Sequence, residues 1–141
     1  MKVLFDTNII LDVLLDRKPF ADHASFLMSR VEQAEIKGFL CATTVTTIHY
    51  LLAKYLDEEQ ALINIHSMMA LFEVAAVNRI VIESALNSKF TDFEDSVLHE
   101  SARHAGVEYI ITRNIKDFKK SKIPAFTPTE FLSMLESLDL K

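Results

Sequence analysis

Short apolar runs alternate with longer stretches of helical periodicity along this chain, and no other feature of the sequence restricts its fold more. The runs fall at residues 2–5, 39–42, 72–77, 109–111 and 125–126, each too short for a helix and suited to a buried strand. Between them, helices are predicted at 8–15, from Pro19 to a stop at Gly38, and at 46–55. Another opens on Asp57-Glu58-Glu59, where the helix dipole favours acids, and runs through Leu62, Ile65 and Met69. Asn78 caps a helix at 81–87, Thr91-x-x-Glu94 and Asp92-x-x-Asp95 open one that closes at Gly106, and Pro128 starts the last. Strands alternating with helices predict a parallel sheet covered by helices, an α/β fold.

Two glycines and three prolines among 141 residues leave little material for a turn-rich all-β chain. That length suits one domain, residues 1–141, and half the residues are hydrophobic, enough for a core and too many for a disordered chain. The net charge of −5 argues against binding duplex DNA through bulk charge. Cys41 stands alone, so no disulfide framework or cysteine zinc site is expected. Asp6 interrupts the first apolar run too early for a signal peptide, and no run is long enough to span a membrane. The expectation is a soluble, cytoplasmic protein.

Ligands of open α/β sheets bind beyond the carboxyl ends of the strands. Asp6 stands directly after the first predicted strand, and Thr112, Arg113, Asn114 and Asp117 follow the fourth. Asp6 also suits the N-cap of the next helix, a role that Thr7 and Asn8 share. Asp92 reads as a helix cap ahead of a ligand. Asp95 falls at the margin of the packed stripe formed by Leu98, Ser101, Ala102 and Ala105, and a carboxylate there must be paired or hold a cation. His99 reads as a surface histidine bonded to Asp95, its i−4 neighbour, and the other histidines lack zinc spacing. Oxygen-only ligands from strand ends suit Mg2+ or Mn2+, which activates water and offsets charge on a phosphodiester. Residues 113–122 hold Arg113, Lys116, Lys119, Lys120 and Lys122 against Asp117 alone, five cations to one acid and a local balance of +4. A basic rim beside an acidic centre suits a nucleic-acid backbone.

Three segments carry a resemblance. Val3-Leu4-Phe5-Asp6-Thr7-Asn8-Ile9-Ile10-Leu11-Asp12 resembles the opening strand and turn of PIN domains. Asp92-Phe93-Glu94-Asp95-Ser96-Val97 and the segment from Ile110 to Phe118 resemble the two later motifs, in the right order. The resemblance implies a three-layer α/β/α sandwich around five parallel strands and a Mg2+- or Mn2+-dependent ribonuclease. Small bacterial members are commonly VapC-like toxins, which implies an antitoxin partner and a homodimer. Asp6, Asp95 and Asp117 match three of the family's acids and so become the catalytic and metal-binding candidates. The second acid is replaced: Thr47 occupies its place in Thr47-Ile48-His49-Tyr50. A neutral hydroxyl is a poorer ligand than a carboxylate, so Asp92 or Glu94 would have to compensate. Asn8, Thr112 and Asn114 are candidates for orienting carboxylates or binding phosphate.

Other classes compete. A PIN-like module whose catalysis has lapsed through Thr47 would bind RNA or a protein without cutting. A phosphatase of the haloacid-dehalogenase type needs a second aspartate where Asn8 stands, and a response-regulator receiver needs an acceptor aspartate that residues 74–78 do not supply.

Overall fold

A computed structural model describes residues 1–139. The elements run β1 (Lys2–Phe5), α1 (Thr7–Leu14), α2 (Ala21–Glu32), β2 (Lys37–Cys41), α3 (Ala42–Tyr55) and α4 (Glu58–Leu71). They continue with β3 (Glu73–Ala75), α5 (Arg79–Leu86), α6 (Phe93–His104), β4 (Tyr109–Ile111), a 3-10 turn (Ile115–Phe118), β5 (Ala125–Phe126) and α7 (Pro128–Asp139). All strand pairs are parallel, in the order β3-β2-β1-β4-β5. Parallel central strands must be covered on both faces, which is why they read as unbroken apolar runs.

Alternation along the strands divides the core in two. Val3, Phe5, Leu40 and Ile111 pack with residues of α1, α2, α3, α4 and α7. Leu4, Phe39, Cys41 and Ile110 face the other way, against Leu98 and Ala102 of α6. Helices therefore lie on both faces, and the α/β/α sandwich expected from the sequence is the observed fold. Asn78 caps α5 as predicted, its Oδ1 accepting from the Val81 N–H, whereas Asp57, expected among the first-turn acids, is itself the cap of α4, its Oδ1 accepting from the Gln60 N–H.

Several boundaries differ: α3 begins at Ala42, ahead of the predicted 46, and β2 and β3 end at Cys41 and Ala75, short of the predicted 42 and 77. The second helix ends at Glu32, and the chain reverses through Ala34 at φ 60°, so Gly38 is not the helix stop. Gly38 lies inside β2, where a Cβ would stand 2.7 Å from the Phe72 ring and 3.0 Å from Val31. The glycine permits a close helix-to-strand approach.

The strand order also locates the site. From β1 the chain moves out to β2 and β3, then returns to place β4 on the other side of β1. Such a reversal opens a crevice at the carboxyl ends of β1 and β4. The Asp6 N–H donates to the Ile111 carbonyl there at 2.9 Å.

Candidate active site

Asp6 leaves β1 in extended conformation and caps α1. Its Oδ1 accepts from the Thr7 N–H at 2.8 Å and its Oδ2 from the Thr112 hydroxyl at 2.9 Å. Thr112 is fully buried, and its oxygen accepts in turn from the Asn114 N–H at 3.1 Å. The carboxylate is thus fixed from both strand ends, with lone pairs left for a further partner. Capping and site membership, alternatives in the sequence, belong to the same residue.

The cleft over this point has a volume of about 250 Å³. Asp6, Asn8, Thr47, Asp95, Asn114 and Asp117 line it, joined by Glu94 and by Thr43 and Thr44 of α3. Asp95 enters from the first turn of α6, its N–H held at 3.0 Å by Asp92 Oδ1. Asp92 is therefore the cap, outside the cleft.

Charge crowding is the main electrostatic fact. Burial pushes the Asp95 carboxyl up to about 7, and Asp92, Asp6, Asp117 and Glu94 add repulsion. Asp6 is also raised, chiefly by burial, against the hydrogen bonds from Thr112 and Thr7. Perturbed carboxyls facing one cleft make it the candidate functional site.

Among the described residues, no three His, Cys, Asp or Glu side chains are gathered closely enough to hold an ion unaided. The donor chemistry nonetheless fits Mg2+ or Mn2+. The set is all oxygen, its charges repel, and Mg2+ is usually held by one or two carboxylates while keeping several waters. A cage of three contacts is not required.

The remaining candidates separate. Thr47 reaches the cleft, but its hydroxyl donates to the Thr43 carbonyl at 3.1 Å. Glu94 is the acid that α6 adds to the wall. Lys116, Lys119 and Lys120 line an adjoining hollow, and Lys122 a further one. Arg113, read from the sequence as an RNA contact, turns away: its Nε is 3.0 Å from Asp12 Oδ2, and its guanidinium stacks 4.0 Å over the Phe20 ring. His99 also departs from expectation. It is 2% exposed, accepts from the Lys122 N–H at 3.0 Å and stacks on Phe90, so it does not bond Asp95.

Asp12 was passed over in the sequence. It is fully buried between Arg113 and Arg17, whose Nε is 2.9 Å from Asp12 Oδ1. Burial pushes its carboxyl upward while Arg113 and Arg17 pull the other way. Arg17 also reaches the Asn8 carbonyl, so Asp12 of α1 ties the segment after that helix and, through Arg113, the segment after β4 to the helix that bears Asn8. The available signal was a lone acid inside the apolar stretch from Ile9 to Leu15. A second missed contact joins the Thr7 and Thr44 hydroxyls at 2.9 Å, binding α1 to α3 at the cleft.

A parallel α/β sandwich with carboxylates gathered at its switch point defines a class of acidic-site proteins. The family model described as "PIN domain" matches residues 2–116, and the chain belongs to that family. It is similar to Ribonuclease VapC1 of Aquifex aeolicus (strain VF5), 24% identical over 142 residues that cover 97% of each chain. Solved structures of similar fold include a toxin–antitoxin complex from Klebsiella pneumoniae, with TM-score 0.66 and 24% identity over 89% of this chain and 97% of that one. Another is VapBC-1 from nontypeable Haemophilus influenzae, with TM-score 0.68 and 17% identity over 92% and 99%.

Proposed function

We propose that this protein is a divalent-metal-dependent endoribonuclease, the toxin of a VapBC-like pair. The observation that carries the reading is Asp95, raised to about 7 by burial and by facing acids in a cleft at the switch point. A bound cation would relieve that crowding. Asp6, Asp95 and Asp117 would hold Mg2+ or Mn2+ together with waters, and the ion would supply acidified water and positive charge beside the phosphoryl oxygens. Thr7 and Thr112 keep the Asp6 carboxylate aimed while substrate enters. Asn114 offers amide donors to a phosphate, and Lys116, Lys119 and Lys120 meet the RNA backbone beyond it.

The similarity to a ribonuclease and to toxin–antitoxin complexes supports RNA as substrate and an antitoxin as partner. Tyr50 and Tyr55 of α3 and Leu62, Ile63 and Met69 of α4 are exposed, apolar surface suited to an antitoxin or a second copy in a homodimer. No helix among the described residues is long and apolar enough to cross a membrane. A cytoplasmic location is part of the same proposal.

The test is cleavage of end-labelled single-stranded RNA with Mg2+ or Mn2+. The wild type should cut, and chelation, Asp6→Asn or Asp95→Asn should each lower the rate by about 100-fold or more. Cutting that survives all three would refute the reading. Binding of metal and RNA without cutting would put a lapsed binding module in its place.

A further inference from the structure

The surface beyond the cleft is lopsided. Asp117 is shared between the cleft and a second hollow of about 150 Å³, lined by Lys89, Lys116, Lys119 and Lys120 with Phe90 and Thr91. Lys89, Phe90 and Lys120 are shared in turn with a third hollow of about 420 Å³, to which Arg103, Lys122 and His99 contribute. The three form one continuous path. The second hollow sets four lysines against Asp117. The third sets Lys89, Lys120, Lys122 and Arg103 against Glu100, which is 4% exposed and already paired with Arg103 at 2.8 Å. The opposite wall of the cleft, on α3, contributes Thr43, Thr44, Thr47 and Leu51 and no cation.

This strip is not a loose lysine-rich loop. The His99 ring accepts from the Lys122 N–H, Phe118 is buried, and the Ser121 hydroxyl bonds both the carbonyl and the N–H of Ile123. Phe90 is pinned by stacking on His99, centroids 4.7 Å apart, and by an edge contact with Phe118 at 5.8 Å. A fixed cationic groove with an aromatic ring set into it is what non-sequence-specific single-strand binding requires.

We propose that Lys89, Lys120 and Lys122, around Phe90, form a second backbone subsite for single-stranded RNA, so that the strand leaves the cleft past Asp117 and not across α3. The proposal rests on the ribonuclease reading for the identity of the polyanion. It adds Lys89, which lies far from the other lysines in sequence, and it gives the bound strand a direction.

The test uses the Asp6→Asn protein, so that cutting does not interfere, and a single-stranded oligouridylate of about twelve nucleotides, within the span of such grooves. Affinity is measured across a salt series for this background, for added Lys89→Ser/Lys122→Ser, and for added Lys37→Ser/Lys54→Ser. The last pair removes the same charge outside the path. Two lost phosphate contacts should make the log K against log salt slope shallower by about 1.4 in the first double variant. The second should keep the background slope. Equal slopes in both double variants, or the same loss with duplex DNA as with the oligouridylate, would overturn the subsite. Cleavage by the wild type is scored separately: cutting with unchanged slopes removes only the subsite, and a changed slope without cutting removes only the ribonuclease reading.

Discussion

Replacing Asp95 by Asn should stabilise the metal-free protein, and the gain should depend on pH. In the unfolded chain an aspartate titrates near 3.8, whereas burial and then Asp92, Asp6, Asp117 and Glu94 push Asp95 up to about 7 in the fold. Between those values the folded state holds a proton that the unfolded state has lost, so stability falls as pH rises through the window. The cost is complete above the folded value and absent below the unfolded one. At full strength the difference is about 4 kcal/mol. Asp95 is only half-buried, and solvent screening reduces this to about 1–2 kcal/mol. Urea unfolding of the wild type and Asp95→Asn, without metal, measures it at about pH 3, 6 and 8. The two should agree at the lowest pH and diverge by about 1–2 kcal/mol at the highest, with Asn the more stable. Saturating Mn2+ should then raise the wild type more than the variant, because bound ligand stabilises only the state that binds it. Parallel curves for the two proteins at all pH values would refute the charge-crowding argument.

Three further substitutions probe separate parts of the account. Asp12→Ala leaves Arg17 and Arg113 without their buried partner and should cost about 2–3 kcal/mol in urea unfolding, the arginines regaining some hydration; an unchanged midpoint would contradict the clamp. Thr47→Glu adds a carboxylate to the cleft and should tighten Mn2+ binding by about 1–2 kcal/mol in calorimetry; unchanged affinity with an intact fold would place Thr47 outside the metal's reach. Gly38→Ala drives a Cβ into Phe72 and should cost about 1–3 kcal/mol in thermal unfolding while leaving Mn2+ affinity as it was.

The strands were legible because a parallel sheet covered on both faces forces unbroken apolar runs, and residues 2–5 coincide with β1. Asp6 was legible as a strand-end acid because the placement follows from topology alone. Gly38 was misread because a glycine after a helical stretch resembles a C-cap, while its actual cause, the Phe72 ring, comes from residues far along the chain. His99 and Arg113 were misread for a similar reason. Their partners, Phe90 with the Lys122 N–H and Asp12 with Phe20, meet only after the sheet has formed. Local periodicity states which face of a helix is apolar, not which polar side chain will be drawn into it. Asp12 shows the limit best: nothing in its neighbours announced two arginines, one of them 101 positions later.

Everything proposed for the cleft requires that its carboxylates, Asp6 and Asp95 among them, form one divalent-cation site. Calorimetric titration of Mn2+ into the wild type, Asp6→Asn and Asp95→Asn tests it most directly. Binding to the wild type should be saturable and weakened at least about tenfold in each variant, since each removes a negative charge from a partly dry cleft. Equal Mn2+ affinity in all three proteins would contradict it.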